Sequence, residues 1–295
     1  MGASEYEKLR ENKEHTKLFF PYNTYLCSIP LDFSSVPSHW HDEMELIVIQ
    51  KGHGIVRVDL QIRRVKAGDI IIVLPGQLHS IRQYGSSSME YENIIFKTDL
   101  LLSVKEDICN TTFFRPYMDG KAQYSHWIDG SKEYYREMAD CIRNIDKLCN
   151  QRPRGYQIGI KSYLNQFFFL LFTNEEPQKS ESVNRKSLDK MKQILEKIEK
   201  DYARPLDIEE MAEFAGFSQS HFMKFFKNHL GTSFIQYLNE YRLLVAARSL
   251  LVSSEDVTAI AMSSGFPNVS YFNRLFKKKF NMTPLEYRKV HREWH

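Results

Sequence analysis

No part of this sequence is apolar for long. The longest unbroken run, Phe167–Phe172, falls far short of the ~20 residues that a membrane-crossing helix needs. Met1–Arg10 is polar and charged, so no signal peptide is expected. Cysteine is scarce as well. The four present, Cys27, Cys109, Cys141 and Cys149, form no CxxC pair and show no metal-ligand spacing. Scattered thiols of this kind suit a reducing compartment and pack as small apolar groups. Nor is there a large charge of either sign, since 40 basic and 37 acidic residues leave a formal net charge of +3. These absences exclude a helical membrane protein and a disulfide framework. The expectation is a cytoplasmic protein with no membrane partner.

What is present fits two globular domains: 295 residues, 42% hydrophobic and 26% charged. The small net charge hides an uneven distribution. From Gly216 onward there are 11 Lys and Arg against 5 Asp and Glu, a net of +6, so residues 1–215 carry −3. Basic charge gathered at one end suits a polyanionic partner, and equally a plain solvated face.

Three zones follow one another. From about Leu18 to Phe96, short β-branched runs (Leu46–Ile49, Gly54–Asp59, Asp69–Val73) alternate with turn signals at Lys51–Gly54 and Lys66–Asp69. That spacing suggests a sandwich or barrel. From about Ser131 to Thr173 the period becomes helical. Tyr134, Met138, Cys141, Ile142 and Ile145 mark one helix, and Gly155–Phe172 a second. Such a pair either covers the β domain or builds a dimer interface. Asn174–Lys186 is polar, proline-containing and aperiodic, as linkers are. The expected division is residues 1–174 as one domain, 175–187 as linker and 188–295 as an all-helical domain.

The helical domain contains an internal repeat. Ala212 and Ala261, and Gly216-Phe217 and Gly265-Phe266, correspond at an offset of 49. Phe222 and Phe272, Phe226 and Phe276, Lys227 and Lys277, and Tyr237 and Tyr287 correspond at 50, so one residue is inserted after the second Gly-Phe. Each copy reads as helix, tight turn, helix. Asp207 is the expected N-cap of the first helix, with Glu210 as capping-box partner. Gly216 ends that helix, and Ser218 caps the next. Each second helix has an apolar face and a mixed polar face, the division a DNA-recognition helix requires. A long helix over Ser233–Leu251 should hold the two units rigidly, so that both recognition helices enter successive major-groove turns ~34 Å apart.

At these residues the chain resembles the DNA-binding domain of AraC/XylS-type transcription regulators. The second unit carries Ile260-Ala261, Gly265-Phe266, Ser270-Tyr271-Phe272, Arg274, Phe276-Lys277 and Thr283-Pro284 followed by Tyr287-Arg288. Asn281 stands where the family usually has glycine, and asparagine tolerates the left-handed turn. The resemblance implies base contacts from Ser220, Met223 and Lys224 in the first unit, and from Ser270, Tyr271, Asn273 and Arg274 in the second. Lys227, Lys277, Lys278 and Lys279 lie toward helix ends and are better placed for phosphates; a solvated lysine face is the plainer reading of 277–279.

In the β zone, His39-Trp40-His41, Glu45 and Gly52, then Gly68-Asp69, Pro75-Gly76 and His79, are similar to the two cupin motifs. There, two histidines, a glutamate and a later histidine converge inside a small barrel. One extra residue between Gly68 and Pro75 departs from the pattern. Positions 39, 41 and 45 are all odd, so on an extended strand they share a face. Three imidazoles and a carboxylate can bind a divalent metal. In the regulators this chain resembles, the barrel usually senses a small molecule, often a sugar, and commonly holds no metal. Three readings of His39, His41, Glu45 and His79 stand open: an effector pocket with Trp40 stacking on a sugar ring, a metal site, or satisfied structural residues.

The expected fold is therefore two-domain α+β, a cupin-like β-barrel with a helical pair followed by a double helix-turn-helix domain. The expected function is a non-enzymatic, effector-responsive transcription regulator, with promoter DNA, a small-molecule effector and a second copy of the chain as partners. RNA polymerase joins them if it activates. No cofactor is expected apart from the open metal reading. The rivals are a metal-dependent cupin enzyme with a DNA-binding tail and a nonspecific nucleic-acid binder.

Overall fold

The computed structural model describes residues 20–32, 35–179 and 182–292. The polar segment Met1–Arg10 lies outside the described residues, as does the beginning of the β zone at Leu18. Among the described residues the chain divides into two compact units, one up to residue 182 and one from residue 183 onward.

The first unit runs β1 (Tyr22–Ile29), β2 (Ser35–His39), β3 (Met44–Val58), β4 (Gln61–Lys66), β5 (Ile70–Val73), β6 (His79–Gln83) and β7 (Met89–Phe96). After a short 3-10 turn at Thr98–Leu100 and a π turn at Asn110–Phe114 come α1 (Arg115–Met118), β8 (Ala122–Gln123), β9 (Trp127–Ile128), α2 (Tyr135–Gln151), α3 (Tyr156–Asn174) and β10 (Gln178–Lys179). Every pairing is antiparallel.

β3 organises this unit. Its first half pairs with β5 and β7, placing Glu45 opposite Val73 and Ile95. Its second half pairs with β4 and β6, placing Val58 opposite Gln61 and His79. The sequence signalled a turn at Lys51–Gly54. The structure has instead one 15-residue strand with a register shift between Ile49 and Lys51. A bulge of this kind bends a strand without ending it, and here it passes β3 from one ladder to the other. The described pairings form an open antiparallel arrangement in the order β1-β7-β3-β5-β9, with β2 joined through β6. The turn expected at Lys66–Asp69 is present, closed by the Asp69 N–H donating to the Lys66 carbonyl at 3.0 Å.

Both faces of β3 are covered. Met44, Leu46 and Val48 form one core with Ile72, Ile94 and Phe96, with Met138, Ile142 and Ile145 of α2, and with Ile160, Leu164, Phe167 and Phe168 of α3. The helical pair therefore covers the sheet. Strand alternation sends Glu45, Ile47 and Ile49 to the other face, and all three are buried there as well. A carboxylate is thus placed inside the β domain.

The second unit is helical: α4 (Ser182–Asp201), α5 (Ile208–Ala215), α6 (Gln219–Leu230), α7 (Phe234–Val252), α8 (Val257–Ser263), α9 (Val269–Phe280) and α10 (Pro284–Arg292). α4 begins inside the segment read as linker from sequence. The periodicity of Leu188, Met191, Leu195 and Ile198 marks only its packed portion, and the polar first turns carry no apolar signal. No described helix is long and apolar enough to cross a membrane.

Candidate nucleic-acid interface and buried histidine cluster

The repeat is physical as well as textual. α6 and α9 each have 12 residues. Phe226 meets Tyr237 edge-on with centroids 5.5 Å apart, and their counterparts Phe276 and Tyr287 do so at 5.4 Å. Phe222, Phe226, Phe272 and Phe276 are fully buried, each contributing roughly 2–3 kcal/mol of apolar burial. Asp207 caps α5 by accepting from the Glu210 N–H at 2.8 Å. The reciprocal bond, from the Asp207 N–H to the Glu210 carboxylate, is not formed among the described residues, and Arg204 donates to that carboxylate. Gly216 ends α5 with φ 71°, and Ser218 caps α6 through the His221 N–H. In the second copy Asn268, one residue further on because of the inserted Pro267, caps α9 through the Tyr271 N–H at 2.8 Å. Asn281 does adopt the left-handed conformation, at φ 56°.

Burial of one face of α6 and α9 leaves the other free. Ser220, Met223, Lys224 and Lys227 are exposed on α6, and Ser270, Asn273, Arg274, Lys277 and Lys278 on α9. Met223 is 45% exposed, an apolar group offered on the surface beside a lysine. Tyr271 departs from its sequence reading as a freely outward residue. It is half-buried, its hydroxyl accepts from Asn239 of α7 at 3.0 Å, and the Arg274 guanidinium lies 5.3 Å from its ring centroid. Its ring positions Arg274. Lys279 is also half-buried, and desolvation lowers its pKa, with Glu240 opposing the shift.

Sequence reading missed the residue that joins the two helix-turn-helix copies. Arg242 of α7 is buried and donates from Nε to the Tyr202 carbonyl at 2.8 Å and from Nη2 to the Arg204 carbonyl at 2.9 Å. The 202–204 segment precedes the first helix-turn-helix and lies against the turn of the second. A Cβ built on Gly265 would stand 2.4 Å from the Tyr202 oxygen. Nothing in periodicity distinguishes this arginine from a surface one.

In the β domain, His39, His41, Glu45 and His79 do converge, all buried, with one ligand atom of each within 4.8 Å of the others. The route differs from the alternation argument. His39 ends β2, His41 lies in the bend before β3, and Glu45 belongs to β3. His79 opens β6 directly opposite His39. Glu45 Oε2 lies 3.0 Å from His41 Nε2 and 2.9 Å from His79 Nε2. The second contact lacks hydrogen-bond alignment, leaving that buried nitrogen without a hydrogen-bond partner. Burial works to raise the Glu45 pKa, yet the charge of His79 and the hydrogen bond from His41 hold it well below the usual carboxylate range. Burial, with the neighbouring His79 and His41, pushes His39 well below the ordinary imidazole value. Trp40 is buried and offers no exposed ring face for a stacked sugar. The loop carrying His79 is tied down by Asp59, which accepts from Gln77 Nε2 at 2.8 Å and from the Leu78 N–H at 3.0 Å.

Comparison with known proteins covers both units. The family described as an AraC-like ligand binding domain matches residues 31–167, and a helix-turn-helix domain family matches residues 211–290. The uncharacterized HTH-type transcriptional regulator YdeC of Bacillus subtilis (strain 168) is 25% identical over 285 residues, 96% of this chain and 97% of that one. An uncharacterized HTH-type transcriptional regulator of Staphylococcus aureus (strain COL) is 36% identical over 100 residues, 34% of this chain but 13% of that longer protein. Among solved structures, ToxT from Vibrio cholerae aligns over 91% of this chain and 98% of its own, with 17% identity and a TM-score of 0.47.

Proposed function

The chain belongs to the AraC-type transcription regulators, DNA-binding proteins with a ligand-binding domain, and from that premise we propose that α6 and α9 read one operator whose occupancy is set by a small molecule received in the β domain. The observation that carries the DNA reading is the matched pair of exposed helix faces, each following a capped tight turn and each backed by the same aromatic core. Lys224 and Arg274 supply charged donors for base edges, Arg274 with the fork suited to guanine. Ser220, Ser270 and Asn273 supply neutral polar groups, and Met223 an apolar contact for a thymine methyl. Tyr271 acts through Arg274. Lys227, Lys277 and Lys278 take phosphates, which set register without reading sequence.

Ligand regulation requires two states of the chain that the effector distinguishes. The proposal includes a homodimer, contact with RNA polymerase where the protein activates, and a cytoplasmic location. Nothing in the geometry favours a sugar over other small molecules. The cupin-enzyme alternative draws on the four-donor cluster alone, and a catalytic activity lost in His41→Ala would favour it.

The test is selection of bound sequences from random duplex DNA, then binding isotherms at the selected site. Arg274→Ala and Lys224→Ala should each weaken binding by roughly 1–3 kcal/mol and relax one position of the motif, whereas Lys277→Ala should weaken all sequences alike and lower the salt slope by about 1. Wild-type affinity in both of the first two variants, or equal binding of the parent to every duplex, would refute the assignment.

A further inference from the structure

We propose that Asn239, on the helix between the two helix-turn-helix copies, is a positioning residue that sets the base specificity of Arg274. The inference rests on the operator reading above and adds to it a residue that itself touches no DNA.

The chain of contacts has three links. Asn239 of α7 donates from Nδ2 to the Tyr271 hydroxyl at 3.0 Å. Tyr271 and Arg274 stand at i and i+3 on α9, the spacing at which helical side chains are neighbours. The Arg274 guanidinium lies over the Tyr271 ring, 5.3 Å from its centroid. Asn239 and Tyr271 are both half-buried, whereas Arg274 is exposed. A bond between half-buried groups is partly shielded from water and is stronger than one on the open surface. The exposed guanidinium takes its orientation from that bond through the ring. Arg242, one turn further along α7, interacts electrostatically with Tyr271 as well. Its positive charge favours the same placement of the tyrosine oxygen.

Orientation is what an arginine needs to read a base. Bidentate contact with guanine requires the guanidinium fork in one plane and one place. A long side chain left free loses rotamer freedom on binding, and one already held loses less. A ring fixed from a second helix supplies the plane. An arginine that swings freely meets phosphates as readily as base edges, and phosphates carry no sequence information. Loss of the brace therefore lowers discrimination more than affinity.

The first copy is built differently. Its preceding helix, α4, also sends a side-chain bond to the recognition helix, with Ser187 Oγ 2.7 Å from His229 Nε2. His229 Nδ1 faces the Phe225 carbonyl at 2.8 Å and carries the proton, so the Ser187 hydroxyl is the donor. That bond holds the last turn of α6, beyond Lys224. His221, the counterpart of Tyr271 at the offset of 50, is exposed and lies against Phe217 of its own copy, with centroids 4.3 Å apart. The brace from the preceding helix thus reaches the reading face in the second copy and the far end of the helix in the first.

The experiment uses the full-length chain and the sequence it selects from random duplex DNA. The base pair read by Arg274 is the one whose preference Arg274→Ala relaxes, and discrimination there is the ratio of Kd for substituted and selected base pairs. Asn239→Ala should lower that ratio by about 3- to 10-fold, the worth of one hydrogen bond, and leave other positions within about twofold. Tyr271→Phe removes the same bond from its other end and keeps the ring, so it should match Asn239→Ala. It carries the test alone if Asn239→Ala does not fold. The double variant should be no worse than either single one. Ser187→Ala is the control: it should lower the unfolding midpoint and leave discrimination at every position unchanged. In the DNA-free protein the Arg274 side-chain N–H resonance should carry a ring-current shift that both variants reduce. Parental discrimination at the Arg274 position in folded Tyr271→Phe overturns the inference and leaves the operator reading standing. So does an equal loss at every position, the mark of a purely structural role. An Arg274→Ala variant that relaxes no position overturns both.

Discussion

Replacing Gly265 with alanine separates two contributions that usually arrive together. Gly216 and Gly265 hold equivalent places in the two helix-turn-helix copies, with φ 71° and 86°. Alanine at either must adopt a left-handed backbone, at a cost of about 1–2 kcal/mol, partly offset by the reduced freedom of the unfolded chain. A Cβ on Gly216 meets nothing within 4 Å. On Gly265 it meets the Tyr202 oxygen at 2.4 Å, Arg242 Nε at 2.8 Å and Ala203 Cα at 3.0 Å. Two of those atoms are backbone, and the third is the nitrogen that bonds the first. Forcing them apart adds the ~1–3 kcal/mol typical of overpacking. Gly216→Ala should therefore cost about 1 kcal/mol and Gly265→Ala roughly 2–4 kcal/mol. The assay is urea unfolding of the full chain followed in the far ultraviolet. Hydrogen exchange of α7 and α8 peptides assigns the loss to the helical unit. Equal destabilisation of the two variants, within about 0.5 kcal/mol, would show that the 202–204 segment does not brace the second turn.

The remaining predictions concern the β unit. Asp146 on α2 has a buried oxygen without a hydrogen-bond partner, and burial together with Glu92 raises its pKa to about 7. The native state keeps a proton that the unfolded chain releases, so this group's penalty is absent near pH 4, grows through pH 4–7 and persists above. Asp146→Asn should raise the unfolding midpoint at pH 8 by an amount worth roughly 1–2 kcal/mol, after discounting for the solvent that reaches this half-buried group, and leave it unchanged at pH 4. Glu175 works in the opposite direction. Burial would raise its pKa, but bonds from Lys132, Tyr134 and the Ser125 N–H hold it below the usual value. Its stabilisation is present above the ordinary carboxylate pKa and is lost as pH falls. Glu175→Gln should cost roughly 1–3 kcal/mol at pH 7, with the difference shrinking in a melt at pH 3.

The helical unit was largely legible because its signals are local. A glycine followed by phenylalanine, a capping serine and aromatics at helical spacing each report on neighbours a few residues away. The repeat doubles every such report. The β unit was less so, because β3 obeys a long-range rule. Lys51–Gly54 carries turn residues, and only pairing with β7 and β4 on either side keeps the strand continuous. The four side chains read from the motif spacing do come together. Their convergence, however, comes from a bend at residues 41–43 and from the β2–β6 register, neither of which alternation encodes. Asp59, Gln77 and Arg242 were missed because a polar side chain that fastens a loop or a distant backbone leaves no mark on periodicity.

Arg242 fastens more than a loop. By bonding the residues just before the first helix-turn-helix copy from within α7, the helix that lies between the two copies, it ties them to one another. If α6 and α9 are the readers proposed above, seating one presents the other to its stretch of duplex as an intramolecular neighbour. The effective concentration at that second step is fixed by geometry rather than by how many copies the cell holds. On the operator reading proposed above, two individually weak contacts would multiply only on DNA whose half-sites match the separation of α6 and α9, with the 19-residue α7 between them. The same pair of sequences on a different helical phase gains nothing from being adjacent.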